Sequence, residues 1–311
     1  MKRIVLLVLL IFFVGTLSAF GKSTATEVTI EKTSEGITVT HSKGEAVFTS
    51  YPKNIATLSV FHTDYLLALG IIPISTVTYD YKSHKHLPYL EEELEGVFEL
   101  GSQSSPDIER LIDRSPDLIL GEKEHEKHYD TLNKIAPTII LGKTENWRSY
   151  LEQVAGIVGK ETEAEAVIAN YNQKAEAVKD KLETEVGDET VLFLRVRPKE
   201  LRVYGAQWNI GDVLYKDLGL TPASCVPMGE WAKPISKEVL PECNPDHILL
   251  QVDDDEKSQK LVEELLEQSS IWGYLDAVKN GNVYPIEHWF IMSGPLSNEA
   301  KINRIEELLI N

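Results

Sequence analysis

Two arginines at alternate positions of one segment are the most suggestive residues of the chain for ligand chemistry. Arg195 and Arg197 lie at the end of an apolar run, residues 191–196, that is typical of a buried strand. Because strand side chains alternate between two faces, both guanidinium groups are expected on one face. Guanidinium groups form paired hydrogen bonds with oxyanions. The pair predicts a site for an anionic ligand, provided that both side chains face an open cleft.

Aromatic and polar side chains follow several other predicted strands. They are Tyr79, Lys82 and His84 in the first half of the chain and Tyr204, Trp208, Trp231 and Trp289 in the second. In α/β proteins with parallel sheets, such loops gather beyond the carboxyl ends of the strands, where ligands bind. Rings beside cations suit a bulky, partly apolar anion. A tryptophan is also a common packing residue, so the prediction depends on convergence of these side chains.

One long helix is expected to position the two halves that carry these residues. Between Gly159 and Gly187 the chain has no proline or further glycine, and apolar residues recur at three- and four-residue steps. About 25 helical residues would span roughly 35–40 Å, enough to cross a domain. The apolar stripe consists of Ala164, Val167, Ile168, Tyr171, Ala175, Val178 and Leu182. The segment is predicted to be a rigid strut.

The halves on either side of this helix share a sequence pattern. Glu109 and Glu238 each precede a proline by seven residues, in the frame glutamate, short apolar segment, serine or asparagine, proline, aspartate. Residues 69–73 and 218–222 also match, as Leu-Gly-x-x-Pro. Two matches in the same order predict two similar lobes. Strands and helices alternate in both, so we expect an α/β fold in which each lobe is a mainly parallel sheet flanked by helices.

The predicted organisation has five parts. They are a signal peptide at 1–21, a polar tail and hairpin at 22–45, an N-terminal lobe at 46–159, the connecting helix at 160–187 and a C-terminal lobe at 188–311. The first part has a basic start, a short apolar run and small residues, which is the pattern of secretory signals. Phe20 stands where the cysteine of a lipoprotein signal would stand, so the acyl acceptor is missing there. We expect an extracytoplasmic protein, at the outer face of the cytoplasmic membrane or in a periplasm.

Composition narrows the range of partners. The 311 residues carry a formal net charge of −18, which argues against nucleic acid and anionic membrane surfaces as partners. Hydrophobic residues make up 42% of the chain, as in ordinary soluble proteins. In an exported chain Cys225 and Cys243 could form a disulfide or remain two free buried thiols. We expect a monomer.

Taken together, these motifs resemble those of extracytoplasmic solute-binding proteins of ABC importers with a rigid helical backbone (class III), and among them the ferric-siderophore group. The resemblance covers nearly all of residues 45–311. Besides the strut, its motifs are PDIE at 106–109, SPD at 115–117, FLRVR at 193–197, WN at 208–209, DLG at 217–219, ISKE at 235–238, NPDH at 244–247, IW at 271–272, AVK at 277–279 and VY at 283–284.

The resemblance implies roles for particular residues. Arg195 and Arg197 would hold the oxygen atoms around the iron, and Tyr204, Trp208, Trp231 and Trp289 would line the cleft. Glu109 and Glu238 would be exposed at the tips of the lobes, where they would meet arginines of the membrane permease. The siderophore itself coordinates the iron, so no metal ligand and no intrinsic cofactor is expected from the protein.

The implied function is capture of a ferric siderophore, with hydroxamate or citrate-hydroxamate types favoured, and its delivery to an ABC permease. A haem or metal carrier is an alternative, because His125 and His128 stand three residues apart and His84 and His86 lie in another loop. A cobalamin carrier would need less cationic charge in the cleft. A hydrolase is disfavoured, because the chain has no G-x-S-x-G, H-E-x-x-H or C-x-x-C motif. The expectation is a binding protein rather than an enzyme.

Overall fold

The computed structural model describes residues 28–79, 84–142, 146–267 and 270–310. The predicted signal peptide, Phe20 and Lys82 lie outside these residues. Within them, no helix is long and apolar enough to span a bilayer.

A small antiparallel sheet precedes the first lobe. It consists of β1 (Thr29–Thr33), β2 (Gly36–His41) and β3 (Gly44–Phe48) in that order. Alternate residues of β2 are buried, and Val39 and Phe48 join the core of the first lobe. The segment predicted as a hairpin within 22–45 is therefore a three-stranded sheet that continues to Phe48.

The first lobe contains a five-stranded parallel sheet in the order β6-β5-β4-β7-β8. Its strands are β4 (Ile55–Thr57), β5 (Ser75–Thr78), β6 (Phe98–Ser102), β7 (Leu118–Glu122) and β8 (Thr138–Leu141). The helices are α1 (Val60–Ala68), α2 (Ile108–Arg114), α3 (Tyr129–Leu132) and α4 (Trp147–Val158), with short 3-10 turns at Pro88–Leu90 and Lys123–His128. Crossovers through helices keep the strands parallel, and both faces of the sheet are covered.

The predicted strut is α5 (Glu161–Glu185), a continuous helix of 25 residues. Its buried stripe matches the apolar pattern of the sequence and includes Ala164, Tyr171 and Leu182. The helix packs against α4 on one side and against the last helix of the chain on another.

The second lobe has a mixed sheet. Its strands are β9 (Thr190–Arg197), β10 (Glu200–Tyr204), β11 (Thr221–Pro222), β12 (Ala232–Ile235), β13 (His247–Val252) and β14 (Val283–Pro285). The order is β12-β10-β9-β13-β14, with β11 beside the start of β9. The strands β9, β11, β13 and β14 are parallel, whereas β10 and β12 add an antiparallel extension.

Helices cover this second sheet. They are a turn of π-helix at Asp212–Asp217, 3-10 turns at Lys237–Val239 and His288–Ile291, and the α-helices α6 (Leu240–Cys243), α7 (Glu256–Glu267), α8 (Ser270–Gly273), α9 (Asp276–Lys279) and α10 (Pro295–Ile310). Together with the sheets, they confirm the predicted α/β fold.

The repeated sequence pattern adopts the same conformation in both lobes. Ser115 and Asn244 end their helices with positive φ values of 49° and 29°, each immediately before a proline. Gly70 and Gly219 follow the preceding helical segments with φ values of 73° and 68°. Few side chains tolerate this left-handed region, which explains why the pattern uses serine, asparagine and glycine there.

The aspartate of the pattern has the same hydrogen bonds in both lobes. Asp117 Oδ1 accepts from the backbone N–H of Asn54 at 2.9 Å, just before β4. Asp246 Oδ2 accepts from the backbone N–H of Thr190 at 2.7 Å, at the start of β9. Each carboxylate thus fixes the register between the first strand of its lobe and the neighbouring parallel strand, β7 or β13.

The last helix provides a second connection between the lobes. From the second lobe, α10 returns to pack against α1 and α4. Asp64 of α1 accepts the backbone N–H groups of Leu296 at 2.9 Å and Ser297 at 3.0 Å. It therefore caps the N-terminus of α10, where a negative charge is favoured by the unpaired N–H groups and the helix dipole.

A close approach of backbone to side chain accompanies this cap. A Cβ atom on Gly294 would lie 2.6 Å from the Asp64 carboxylate, so only glycine fits there. Lys301 is also fully buried and donates to Asn298 Oδ1 at 2.9 Å and to the Met292 carbonyl. The helix cap and the buried lysine form one interlobe polar cluster.

The two cysteines form a disulfide, which settles the alternative that the sequence leaves open. Cys225 and Cys243 have their Cα atoms 5.2 Å apart. The bond joins the segment after β11 to α6, directly behind the turn that carries Glu238.

Candidate ligand-binding site

Arg195 and Arg197 lie on the same side of β9, but both are ion-paired. Arg195 Nε donates to Asp253 Oδ1 at 2.7 Å, and only 9% of the residue surface is exposed. Arg197 Nη1 donates to Glu200 Oε1 at 3.2 Å, and its Nε lies 3.7 Å from Asp253 Oδ2. The prediction of two guanidinium groups open to a cleft is therefore wrong for Arg195 and holds only in part for Arg197, which is partly exposed.

The register of the sheet explains how these charges meet. Arg195 is opposite Arg202 on β10, and Arg197 is opposite Glu200. Residues that face each other across strands share one side of the sheet. Glu200 also pairs with Arg202, so the arginines form a continuous network with the carboxylates. Asp253 enters the network because it directly follows β13, the parallel neighbour of β9.

The electrostatic environment keeps Arg195 charged. Burial alone would lower the pKa of its guanidinium group, but hydrogen bonds to Asp253 and Tyr204 raise that pKa above its usual value. Tyr204 accepts from Arg195 Nη1 at 2.9 Å. Arg195 is thus a permanent positive charge at neutral pH.

A chain of contacts connects this network to the first lobe. Arg195 Nη2 lies 3.4 Å from His288 Nε2, and the Tyr79 hydroxyl is hydrogen-bonded to His288 Nδ1. Because a guanidinium group can only donate, His288 Nε2 is the acceptor and its proton belongs on Nδ1. Tyr79 follows β5, Asp253 follows β13 and His288 follows β14 by a few residues, so these groups meet at the carboxyl ends of parallel strands.

An aromatic wall borders the same network. Trp231 is 49% exposed, and its ring lies 5.3 Å from that of Tyr204 in an edge arrangement. The Arg202 guanidinium group is 5.9 Å from the Trp231 ring centroid. Large rings exposed beside arginines offer contact area to a ligand that is partly apolar.

Gln251 is a further polar residue on this face, beside Arg195 in the register of β13 and β9. It is fully buried, and neither of its amide atoms has a hydrogen-bond partner among the residues that the structure describes. A buried amide without partners is uncommon and calls for a water molecule or a ligand group.

Other predicted site residues lie apart from the network. Trp289 packs in the core, with its ring 5.1 Å from Tyr89, because the 3-10 turn at His288–Ile291 directs it inward. It is a packing residue rather than the predicted cleft contact. His84 Nδ1 is 2.7 Å from Glu91 Oε1, on the surface of the first lobe.

Trp208 lines a separate cavity of about 620 Å³ between the start of α4 and the segment 206–228. Arg148 and Met228 contribute to the same cavity. Trp208 and Asn209 have positive φ values of 67° and 56°, which bend the chain sharply after β10. This cavity lies between the two lobes, and neither Arg195 nor any other member of the ion-pair network belongs to its lining.

His125 is not available as a metal ligand. Its Nδ1 accepts the backbone N–H of Glu122 at 3.0 Å, and its Nε2 is 3.1 Å from the Gln103 carbonyl oxygen. Both ring nitrogens are therefore used, which removes the basis for a metal site shared with His128. Within the described parts of the chain there is no group of three or more candidate ligands that could hold a metal ion.

The two repeated glutamates are exposed at equivalent places. Glu109 lies in the first turn of α2, after the helix cap Asp107. Glu238 lies in the turn Lys237–Val239, where a hydrogen bond from Ser236 lowers the pKa of its carboxyl group. Each carboxylate stands at the start of the helical segment that precedes the equivalent strand, β7 or β13.

Residues 55–288 match the family described as periplasmic binding protein. The chain belongs to the periplasmic binding protein family. Among curated relatives, it is 29% identical over 96% of its length to the iron(3+)-hydroxamate-binding protein FhuD of Bacillus subtilis, of which it covers 95%. It is 30% identical over 92% of its length to the probable siderophore-binding lipoprotein YfiY of the same organism, of which it covers 91%.

Solved structures of this periplasmic binding protein family share the two-lobed fold. Staphylococcus aureus SirA complexed with staphyloferrin B has a TM-score of 0.72 and 27% identity, over 88% of this chain and 98% of SirA. The triscatecholate siderophore binding protein FeuA of Bacillus subtilis, complexed with ferri-bacillibactin, has a TM-score of 0.66 and 28% identity, over 83% and 92%. The relatives include binders of hydroxamate and catecholate siderophores, so membership of the family leaves the ligand class open.

The sequence patterns did not single out three polar residues near this site as candidate ligand contacts. Asp253 was marked only by a run of three aspartates directly after a predicted strand. Gln251 and His288 were marked by their positions near strand ends. An ion pair across neighbouring parallel strands depends on their register, which a single sequence does not specify.

Proposed function

We propose that this protein captures a ferric siderophore outside the cytoplasmic membrane and delivers it to the permease of an ABC importer. The observation that carries the proposal is the contact chain from Tyr79 of the first lobe through His288 to Arg195 and Tyr204 of the second. It places charged and aromatic groups where the strand ends of two lobes meet. The names of the relatives, which include binders of ferric hydroxamates, support the ligand class.

The protein's part is recognition rather than catalysis or metal ligation. A siderophore encloses Fe(III) with its own hard oxygen atoms, so the complex is recognised as one charged surface. Arg197 and Trp231, the more exposed members of the site, would contact the complex first. Arg195 and Tyr204 would form the floor. Hydroxamate or citrate-hydroxamate ligands fit best, because the arginines are partly neutralised.

Delivery would use Glu109 and Glu238. Both are exposed, and the repeated local structure gives them equivalent positions on the two lobes. A monomer with this internal pseudo-twofold relation can dock on a permease with twofold symmetry. Carboxylates at the lobe tips would pair with cationic groups of the permease.

The test is ligand binding to the mature protein by quenching of tryptophan fluorescence, with calorimetry to exclude light absorption by the complexes. Ferrichrome, ferric citrate and ferric bacillibactin are suitable probes, with the iron-free ligands as controls. We expect saturable binding of at least one ferric complex. Arg197→Ala should weaken it by about 10- to 100-fold, since a hydrogen bond to a charged group contributes about 1.5–3 kcal/mol.

Stability measurements separate this role from a structural one. The melting temperature of Arg197→Ala should stay within a few degrees of wild type, as should that of Arg304→Ala, a partly exposed arginine of α10 that pairs with Glu307. Absence of binding to every ferric complex would overturn the proposal. Equal binding by wild type and Arg197→Ala would remove Arg197 from the site.

A further inference from the structure

The ion-pair network on the β9–β10 face has an unusual composition for the site of an anionic ligand. Three guanidinium groups, of Arg195, Arg197 and Arg202, are joined by two carboxylates, of Asp253 and Glu200. The network therefore has a net charge of plus one. A site selected only for strong attraction to anions would leave its arginines without carboxylates.

Asp253 holds the central position in this network. It contacts both arginines of β9, through Oδ1 to Arg195 and through Oδ2 to Arg197. Its side chain is 16% exposed, so its charge is only partly screened by water. It also stands at the carboxyl end of β13, on the side of the sheet that leads through His288 to the other lobe.

The charge of a ferric complex depends on the chemistry of the siderophore. Three hydroxamate groups each carry one negative charge and neutralise Fe(III), whereas three catecholate groups each carry two and leave a net charge of minus three. A carboxylate beside the ligand has little effect on the binding free energy of the neutral complex, but it repels the anionic complex and weakens its binding. Its effect on binding thus differs between the two classes of ligand.

We propose that Asp253 is a specificity-determining residue that selects ferric complexes with little net charge by neutralising the arginines of the cleft. The proposal rests on the proposed function and adds to it a named residue and a mechanism of selection. Asp253 acts in two ways. It orients Arg195 and Arg197 as donors, and it removes the excess positive charge that would favour a strongly anionic ligand.

The experiment compares two probes, ferrichrome as the neutral complex and ferric bacillibactin as the trianionic one, by calorimetry at low ionic strength. The variants are Asp253→Asn, which removes the charge and keeps the shape, and Asp253→Glu, which keeps the charge. The measured quantity is the ratio of the two dissociation constants. Wild type should prefer ferrichrome, and Asp253→Asn should shift the ratio toward the anionic complex by at least about tenfold.

Two controls make the result specific. Glu189→Gln removes one carboxylate that is hydrogen-bonded to His247, at the opposite end of β13, and should leave the ratio within about twofold of wild type. Asp253→Glu should restore the wild-type preference. The shift produced by Asp253→Asn should also decrease as salt is raised, which a purely structural change would not show.

The outcomes separate this inference from the proposed function. If wild type binds neither complex, the inference fails, and the proposed function fails with it only if ferric citrate is not bound either. If wild type binds but Asp253→Asn leaves the ratio unchanged, or if Glu189→Gln shifts it equally, Asp253 does not set specificity while the proposed function stands. Should Asp253→Asn fail to fold, Glu200→Gln removes the other carboxylate of the network, and an unchanged ratio in that variant overturns the inference.

Discussion

Replacement of Asp64 by asparagine tests the interlobe polar cluster. The amide would keep the shape of the side chain but lose one charged acceptor, and its NH2 group would face the N–H donors of α10. In wild type the carboxylate accepts from Leu296 at 2.9 Å, from Ser297 at 3.0 Å and from the Tyr89 hydroxyl at 3.1 Å. It also attracts the buried ammonium group of Lys301.

The expected loss follows from these contacts. A hydrogen bond to a charged group contributes about 1.5–3 kcal/mol, and removal of one member of a buried charge pair costs about 3–5 kcal/mol. We expect Asp64→Asn to lower the free energy of unfolding by about 3–5 kcal/mol. For a chain of about 300 residues, with an unfolding entropy of about 2.1 cal/mol/K per residue, that corresponds to a decrease of the melting temperature of about 5–8 °C.

The decrease in the free energy of unfolding caused by Asp64→Asn should be larger at low pH than at high pH. Burial raises the pKa of Asp64 to about 6, although the hydrogen bonds from Leu296 and Ser297 oppose this. Folded protein therefore binds more protons at Asp64 than the unfolded chain between about pH 4 and pH 6, and the contribution of this group to stability falls as pH rises through that window. Burial lowers the pKa of Lys301 to about 7, and without the Asp64 charge that pKa should fall further. Both effects make the loss larger at about pH 5.5 than at about pH 8.

The assay is urea denaturation followed by far-ultraviolet circular dichroism at both pH values. Asp180→Asn, on the exposed side of α5, is the matched control and should change the unfolding free energy by less than about 0.5 kcal/mol. A loss below about 1 kcal/mol for Asp64→Asn, or a loss that grows as pH rises, would refute this account of the cluster.

Three further variants test other features of the structure. Gly294→Ala should lower the free energy of unfolding by about as much as Asp64→Asn. The double variant should lose less stability than the two single variants added together, because the new Cβ displaces the same carboxylate. Additive losses in thermal melts would contradict this. Gln251→Leu should raise the free energy of unfolding by about 1–2 kcal/mol, because it removes a buried amide without partners in the described chain. A lower melting temperature would show that the amide is hydrogen-bonded in the folded protein. Replacement of Cys225 and Cys243 by serine should lower the free energy of unfolding by about 2–4 kcal/mol. It should also weaken permease-dependent uptake, because the disulfide supports the turn that carries Glu238, and leave ligand affinity unchanged. A loss of ligand affinity would show that the disulfide supports the cleft instead.

The sequence predicts the parts of the fold that local patterns encode. The apolar stripe of α5 has a helical period over its whole length, so the strut could be located to within a few residues. The repeated frame that ends in serine or asparagine, proline and aspartate predicted two similar lobes, and in both lobes it forms a left-handed helix end followed by an aspartate that accepts a backbone hydrogen bond. These features depend on short-range sterics and hydrogen bonds.

Features that depend on strand pairing could not be predicted. The strands β6 and β12 are short, and glycine, lysine and proline interrupt their apolar pattern. They are strands because the neighbouring strands offer unpaired N–H and C=O groups. The sequence correctly places Arg195 and Arg197 on one side of β9, because alternation along a strand is local. It does not identify the carboxylate that pairs with them, because Asp253 becomes their neighbour only through the parallel register of β13.

Two separate connections between the lobes limit how the protein can respond to a ligand. The strut α5 has no break along its 25 residues, and α10 is capped by Asp64 from the other lobe in a region without access to solvent. Rotation of the lobes about the strut would separate this carboxylate from α10 and leave Lys301 buried without its counter-charge, at a cost of several kcal/mol. The contacts at the cleft edge, from Tyr79 through His288 to Arg195, carry a smaller penalty, because Arg195 keeps its ion pair with Asp253 when they separate. We therefore infer that ligand binding rearranges the cleft edge while the base stays fixed, and that the change at the exposed glutamates is small.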